Sequence, residues 1–178
     1  MKIYRSPLEG FIEIPESEKK NIEEMSIDRI NKVLEQLHQF SEDEIEFRPP
    51  VIPEKVSAFE AKHGIVLPED YKYLLSITNG LSLMGDCILG IGNPTTAEDL
   101  ESVFHFEHFE CGNPMPLHLI PFCPDGFGNH YCFDVHHDNI VFWQHDVDYT
   151  KSSPDVVYSD LSALLQEIFI DWTLELDD

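Results

Sequence analysis

Apolar positions along the chain alternate between helical and strand-like spacing, and the switches between the two outline the elements. Ser26 stands just ahead of Ile27, Ile30, Leu34 and Leu37, which recur at helical intervals. That spacing predicts a helix capped by Ser26 and running to about Gln39. Arg48-Pro49-Pro50 then stops any helix and suits an extended connector. Beyond it, Pro53 fits a first helical turn, Val56 and Phe59 mark an apolar face, and Gly64 fits a left-handed cap, so a short helix is expected over 53–63. Pro68 opens a second helix. Tyr71, Leu74, Leu75 and Thr78 form its stripe, and Asn79-Gly80 closes it.

From Leu81 the period drops to two. Leu81 and Leu83, then Cys87, Leu89 and Ile91, alternate around Gly85-Asp86, which predicts a hairpin turning at that pair. A third helix is expected over about 96–109, with Thr96 and Asp99 in a capping arrangement and Leu100, Val103 and Phe104 facing inward. Residues 117–123, 129–135 and 139–145 are three β-rich runs separated by Pro124-Asp125-Gly126 and His136-His137-Asp138-Asn139. They predict an antiparallel meander over 117–145. Ser159 then caps a final helix whose Leu161, Leu164, Leu165, Ile168 and Trp172 can cover that sheet. The class is α+β, an antiparallel-rich sheet covered by helices. Residues 1–50 read as a helical extension packed on a domain formed by residues 51–178.

Charge narrows the partners. The chain holds 34 Asp and Glu against 11 Lys and Arg, a formal net charge of -23. Phosphate binding needs cations to displace counterions, so DNA, RNA and anionic membranes are poor partners and a basic protein is a good one. The charge is also uneven. Residues 1–72 carry ten bases and sixteen acids, whereas residues 73–178 carry only Lys151 against eighteen acids. Ordinary solubility is the competing explanation of that bias. With 42% hydrophobic residues the chain is too apolar to be a disordered acidic tail. No apolar run approaches membrane-spanning length, and Pro7, Glu9, Glu13 and Pro15 interrupt the start before a signal-peptide core could form, so a cytoplasmic location is expected. Cys87, Cys111, Cys123 and Cys132 contain no CxxC pair and read as small apolar residues of a reduced protein, although Cys123 and Cys132 could meet across a hairpin.

Candidate chemistry is sparse. His105 and His108 at i, i+3, followed by Cys111, offer metal-ligand types, but the spacing matches no established zinc signature, and the expected reading is a helix-surface pair without metal. His136-His137-Asp138 fits a tight turn. His145-Asp146 lacks an assignable nucleophile, Ser152 and Ser153 lie in no GxSxG elbow, and Gly90-Ile91-Gly92 is too short for a dinucleotide loop. No catalytic, cofactor or metal residue is therefore assigned.

The residues do carry a resemblance. Ile52-Pro53 through Phe59-Glu60, Gly64 to Tyr71 with Leu67-Pro68, and Asn79-Gly80 resemble the opening signature of the SUKH superfamily, the Smi/Knr-like group first named for a yeast regulator of cell-wall glucan synthesis. Leu119 to Phe122, Asp125-Gly126, Gly128-Asn129, Cys132 to Asp134, Ile140 to Trp143 and His145 resemble its strand block, so the likeness spans about residues 51–172. It implies an α+β domain without catalytic residues or cofactor. In bacteria such a domain commonly serves as an immunity protein that neutralises a cognate toxin, often a nuclease. In the yeast relatives it is a regulatory module, so a scaffold of glucan synthesis is the alternative.

Acids beside aromatics in the second half suggest where a basic toxin would dock. Asp134, Asp138, Trp143, Asp146, Asp148 and Tyr149 are the expected contact residues, because large aromatic anchors ringed by carboxylates suit an Arg- or Lys-rich partner.

Overall fold

Helix α1 spans Glu16–Leu37 in the computed structural model, which describes residues 3–4, 12–13, 16–92 and 99–176. It begins well before the expected Ser26 cap, leaving Ser26 buried in mid-helix. The early turns are rich in Glu and Lys, good helix formers that propensity sustains without an apolar stripe. Periodicity registers only the half of α1 that buries Ile30, Val33, Leu34 and Leu37.

Two short strands, β1 (Ile3–Tyr4) and β2 (Ile12–Glu13), pair antiparallel ahead of α1. After α1 come β3 (Ile45–Phe47), α2 (Pro53–His63), α3 (Glu69–Ile77), β4 (Leu81–Leu83) and β5 (Asp86–Ile88). Helix α4 (Leu100–His105) continues as a π-helical stretch over Phe106–Glu110. Strands β6 (Leu119–Pro124), β7 (His130–Asp134), β8 (Asn139–Trp143) and β9 (Asp155–Tyr158) follow. The chain ends in α5 (Leu161–Leu164), a π-helical stretch over Leu165–Asp171, and α6 (Trp172–Leu176).

The sheets are antiparallel, ordered β3-β4-β5 and β6-β7-β8-β9. The Leu89 N–H donates to Phe122 O at 2.8 Å and links the two. Helix α1 packs against α3 and the C-terminal helical segment, and one core runs from Ile30 and Leu37 through Phe59, Tyr71 and Phe122 to Phe169. The fold is α+β as the patterning implies.

Four details depart from the sequence pattern. The β4–β5 turn uses Met84 and Gly85, both at positive φ, so that Leu83 pairs with Asp86. Two positive φ values in a two-residue loop match the right-handed twist of the flanking strands, which moves the turn one residue from Gly85-Asp86. Asp99 caps α4 by accepting from Ser102 N, whereas Thr96 lies outside the described residues. Asp160, rather than Ser159, caps α5 by accepting from Ala163 N. The meander gains a fourth strand, β9, at the sheet edge, where Val156 and Val157 are both exposed and so lack the alternation that marks a half-buried strand.

Most residues of the α2–α3 signature serve the scaffold. Phe59 meets Phe104 edge to face at 5.8 Å, and Gly64 adopts the left-handed cap with φ 65°. Glu60 Oε1 accepts from Leu67 N at 2.8 Å and so pins the α2–α3 loop. The Tyr71 hydroxyl donates to Leu89 O at 2.6 Å, tying α3 to the strand junction. Asn79 uses its amide as a strand edge: Nδ2 donates to Ile91 O at 2.9 Å while Oδ1 accepts from Ile91 N at 2.8 Å. Gly80 follows with φ 86°, and a Cβ there would collide with Ile88 O at 2.5 Å.

Candidate functional site

A cleft of about 940 Å³ opens between α1, the α2–α3 loop, the β7–β8 turn and the approach to α5. Its walls come from segments far apart in sequence. Ile22, Ser26, Ile27 and Arg29 come from α1, residues 63–70 from the end of α2 through the loop to the start of α3, His118 from before β6, residues 133–136 and 138–140 from the end of β7 through the turn to the start of β8, and Ser159-Asp160 from the last connector. Ile22, Val66 and Leu117 are each more than half exposed and give the rim an apolar character.

Carboxylates brace the cleft. Asp160 accepts from Arg29 Nη2 at 2.8 Å and from Ala163 N at 3.1 Å, so it joins α1 to the start of α5. Asp70 accepts from Tyr71 N at 2.8 Å and Leu161 N at 3.3 Å, and burial raises its carboxyl above the usual range. Asp134 Oδ1 accepts from His136 N at 2.9 Å and His137 N at 3.2 Å, while Oδ2 lies 2.6 Å from His137 Nδ1. Glu69 and Asp138 complete a lining of five carboxylates against the single guanidinium of Arg29. Lys72 stands behind the loop, 2.6 Å from Glu69 and 3.6 Å from Glu60.

Polar capacity in the cleft is unspent. Among the described residues, the buried side-chain atoms without a hydrogen-bond partner are Ser26 Oγ, His63 Nε2, Asn139 Oδ1 and His130 Nδ1, and the first three belong to cleft-lining residues. His63 Nε2 stays 3.8 Å from Glu101, beyond hydrogen-bond reach. Its imidazole is held below the ordinary value by burial, as is that of His118. The His118 and His136 rings stack, with centroids 4.6 Å apart and planes 7° from parallel. Together with Asp134 they offer three ligand atoms within 4.8 Å of one another.

The residues expected from sequence to meet a partner separate into three groups. Asp134 and Asp138 line the cleft, although the Asp134 carboxylate is largely occupied in holding its turn. Asp146, Asp148 and Tyr149 lie in the β8–β9 loop, where Asp148 accepts from Thr150 N and the Tyr149 hydroxyl accepts from Gln144 N. Trp143 is a correction. It is 1% exposed, packed with Met115, Leu119, Cys132 and Val141 on the sheet face away from the main core, and cannot serve as a surface anchor. Period-two alternation does place Trp143 opposite Phe142, but the Trp143 face packs on Met115 and Leu119 and is closed to solvent.

His108 is corrected as well. It is buried rather than on a helix surface, with Nδ1 2.7 Å from Phe104 O and Nε2 3.1 Å from Leu119 O. Cys111 Sγ donates to Glu107 O, and exposed His105 pairs with Glu110, so the expected trio does not converge. The four cysteines are free, and burial raises the Cys123 and Cys132 thiols well above their ordinary value. Sequence reading missed Ser26, His63, Asp70, His118 and Asp160 as cleft residues, because no local motif marks side chains that meet only in the folded chain.

Helices packed with antiparallel strands, and an acidic, apolar-rimmed cleft between them, define a small α+β domain built around a recess. The model of the SMI1 / KNR4 family (SUKH-1) matches residues 50–167, and the chain belongs to that family. Among solved structures, it resembles one described as "Crystal structure of protein from Pseudomonas syringae pv. tomato", with a TM-score of 0.52 and 21% identity, covering 68% of this chain and 90% of that one. That likeness concerns the fold. No curated protein matches the sequence. Among the described residues, no helix is long and apolar enough to cross a membrane.

Proposed function

We propose that this chain is a non-enzymatic, cytoplasmic protein-binding module, an immunity protein that neutralises a basic toxin by receiving it at the cleft. The observation that supports this most is the lining itself: five carboxylates, one guanidinium already bridged to Asp160, and an apolar rim. A nuclease must be basic where it holds phosphates, so an acidic partner competes directly with the nucleic acid. The net charge of -23 would speed the encounter by long-range steering, while Ile22, Val66 and Leu117 supply the apolar contact that slows dissociation. The braced carboxylates suit recognition better than proton transfer, since their positions are fixed by backbone and guanidinium donors.

The test is stopped-flow association and calorimetry with the toxin encoded beside this gene, at low and moderate salt. Association should slow steeply as salt rises, and Glu69→Gln with Asp138→Asn should slow it further, at a cost in stability of about 1 kcal/mol for the Glu69–Lys72 pair that is lost. No binding, or an association rate indifferent to salt, overturns the proposal.

A further inference from the structure

We propose that His118, Asp134 and His136 bind one divalent first-row transition-metal ion, zinc above all, at the wall of the cleft. The three ligand atoms lie within 4.8 Å of one another, although the residues come from separate places, His118 before β6 and the other two at the end of β7 and the turn beyond it. Asp134 is the fixed member, since two backbone N–H groups hold Oδ1. His137 Nδ1 approaches Oδ2, the kind of outer-shell partner that orients a ligating carboxylate. Neither the His118 nor the His136 ring makes a hydrogen bond among the described residues, so their nitrogen lone pairs are available.

Donor chemistry selects the ion. Two imidazoles and one carboxylate suit zinc, cobalt or nickel, whereas calcium and magnesium prefer an all-oxygen shell. Three protein ligands leave a coordination position for water or a partner's side chain. Asn139, paired with Asp134 across the β7–β8 ladder, adds an unpartnered Oδ1 as an acceptor nearby.

The stack must open for the ion to enter. Ligand atoms on a tetrahedral zinc lie about 3.3 Å apart, from metal–ligand distances of about 2.0 Å. Parallel rings cannot both point a lone pair at the same ion, so one ring must tilt. His136 is the exposed member, on a turn, and can swing while Asp134 and His118 stay in place.

The experiment is calorimetric titration of the purified, metal-free chain with zinc chloride, alongside cobalt titration followed by visible absorption. Zinc should bind one per chain with a dissociation constant on the order of micromolar or tighter, and cobalt should give the intense bands of a four-coordinate site. His118→Gln and His136→Gln should each weaken zinc at least about tenfold, a loss of the size expected when metal-site architecture is disturbed. His105→Gln, on the exposed His105–Glu110 pair, should change nothing. Circular dichroism confirms that the variants fold. Absent or millimolar binding, or affinity within twofold of the parent in both cleft-histidine variants, overturns the assignment. Because the probe is the metal alone, the outcome is independent of toxin binding.

Discussion

Tyr71→Phe deletes one oxygen from the centre of the molecule and leaves the ring where it was. That ring is wholly buried, between Phe133 at 5.2 Å and Phe122 at 5.9 Å, contacts that phenylalanine retains. Only the 2.6 Å donation to Leu89 O is lost, which strands a buried carbonyl at the junction of the two sheets. A net hydrogen bond of about 1 kcal/mol, together with desolvation of an acceptor left unsatisfied, puts the cost at about 2–3 kcal/mol. For a domain of this length that lowers Tm by roughly 4–12 °C. Burial raises the phenol above its ordinary value, so it stays a neutral donor, and the loss should be the same at pH 6 and pH 8. Urea unfolding followed by circular dichroism measures it. Tyr73→Phe is the control, because that hydroxyl bonds the half-buried Asn31 Oδ1 at 2.8 Å and should cost under about 1 kcal/mol. Equal, small effects of the two substitutions would refute the assignment of Tyr71 as the tie between α3 and the sheet junction.

Asn79→Ala removes both bonds to Ile91 and should cost about 2 kcal/mol or more in the same urea assay, an effect below about 0.5 kcal/mol counting against the strand-edge role. Trp143→Ala should destabilise by about 3–5 kcal/mol, whereas Trp143→Phe should leave toxin association unchanged, as expected of a core residue that touches no partner. Stability should fall as pH drops from 7.5 to 6. Burial depresses His63, His108 and His118, so near their unfolded value of about 6.5 the unfolded chain binds more protons than the folded one. Asp70, raised by burial, acts in the opposite sense, its contribution falling as pH rises from the carboxylate range, so urea midpoints flat across this interval would show that the histidines do not dominate.

Sequence pattern carried the elements whose stabilising contacts are local. Pro53, Gly64, Pro68 and Asn79-Gly80 mark α2 and α3 because fixed φ, left-handed caps and turn amides act within a few residues. It failed where support is distant or absent from the hydrophobic pattern. The first half of α1 rests on helix propensity, β9 shows no inward stripe, and the burial of Trp143 follows from Met115 and Leu119, which only the completed sheet brings over it. Half of the cleft was invisible for the same reason. Asp134 and Asp138 stood out as acids near aromatics, but Ser26, His63, Asp70 and Asp160 gain their meaning only when α1, the α2–α3 loop and the last connector converge.

The residues that carry the family signature and the residues that line the cleft are largely different. Phe59, Glu60, Gly64, Leu67, Tyr71, Asn79 and Gly80 are legible because each meets a geometric demand of the scaffold: a ring in the core, a pinned loop, a left-handed cap, a tied strand junction. The cleft wall draws on α1, which lies outside the matched 50–167, and on the β7–β8 turn, where Asp138 at φ 58° tolerates a left-handed conformation. Helix surfaces and turns can change charge without disturbing the core, so partner choice can vary on a constant scaffold. On this chain the cleft wall is acidic. Backbone N–H groups and Arg29 hold Asp70, Asp134 and Asp160 in place, so the acidic wall of the cleft is already ordered in the folded chain.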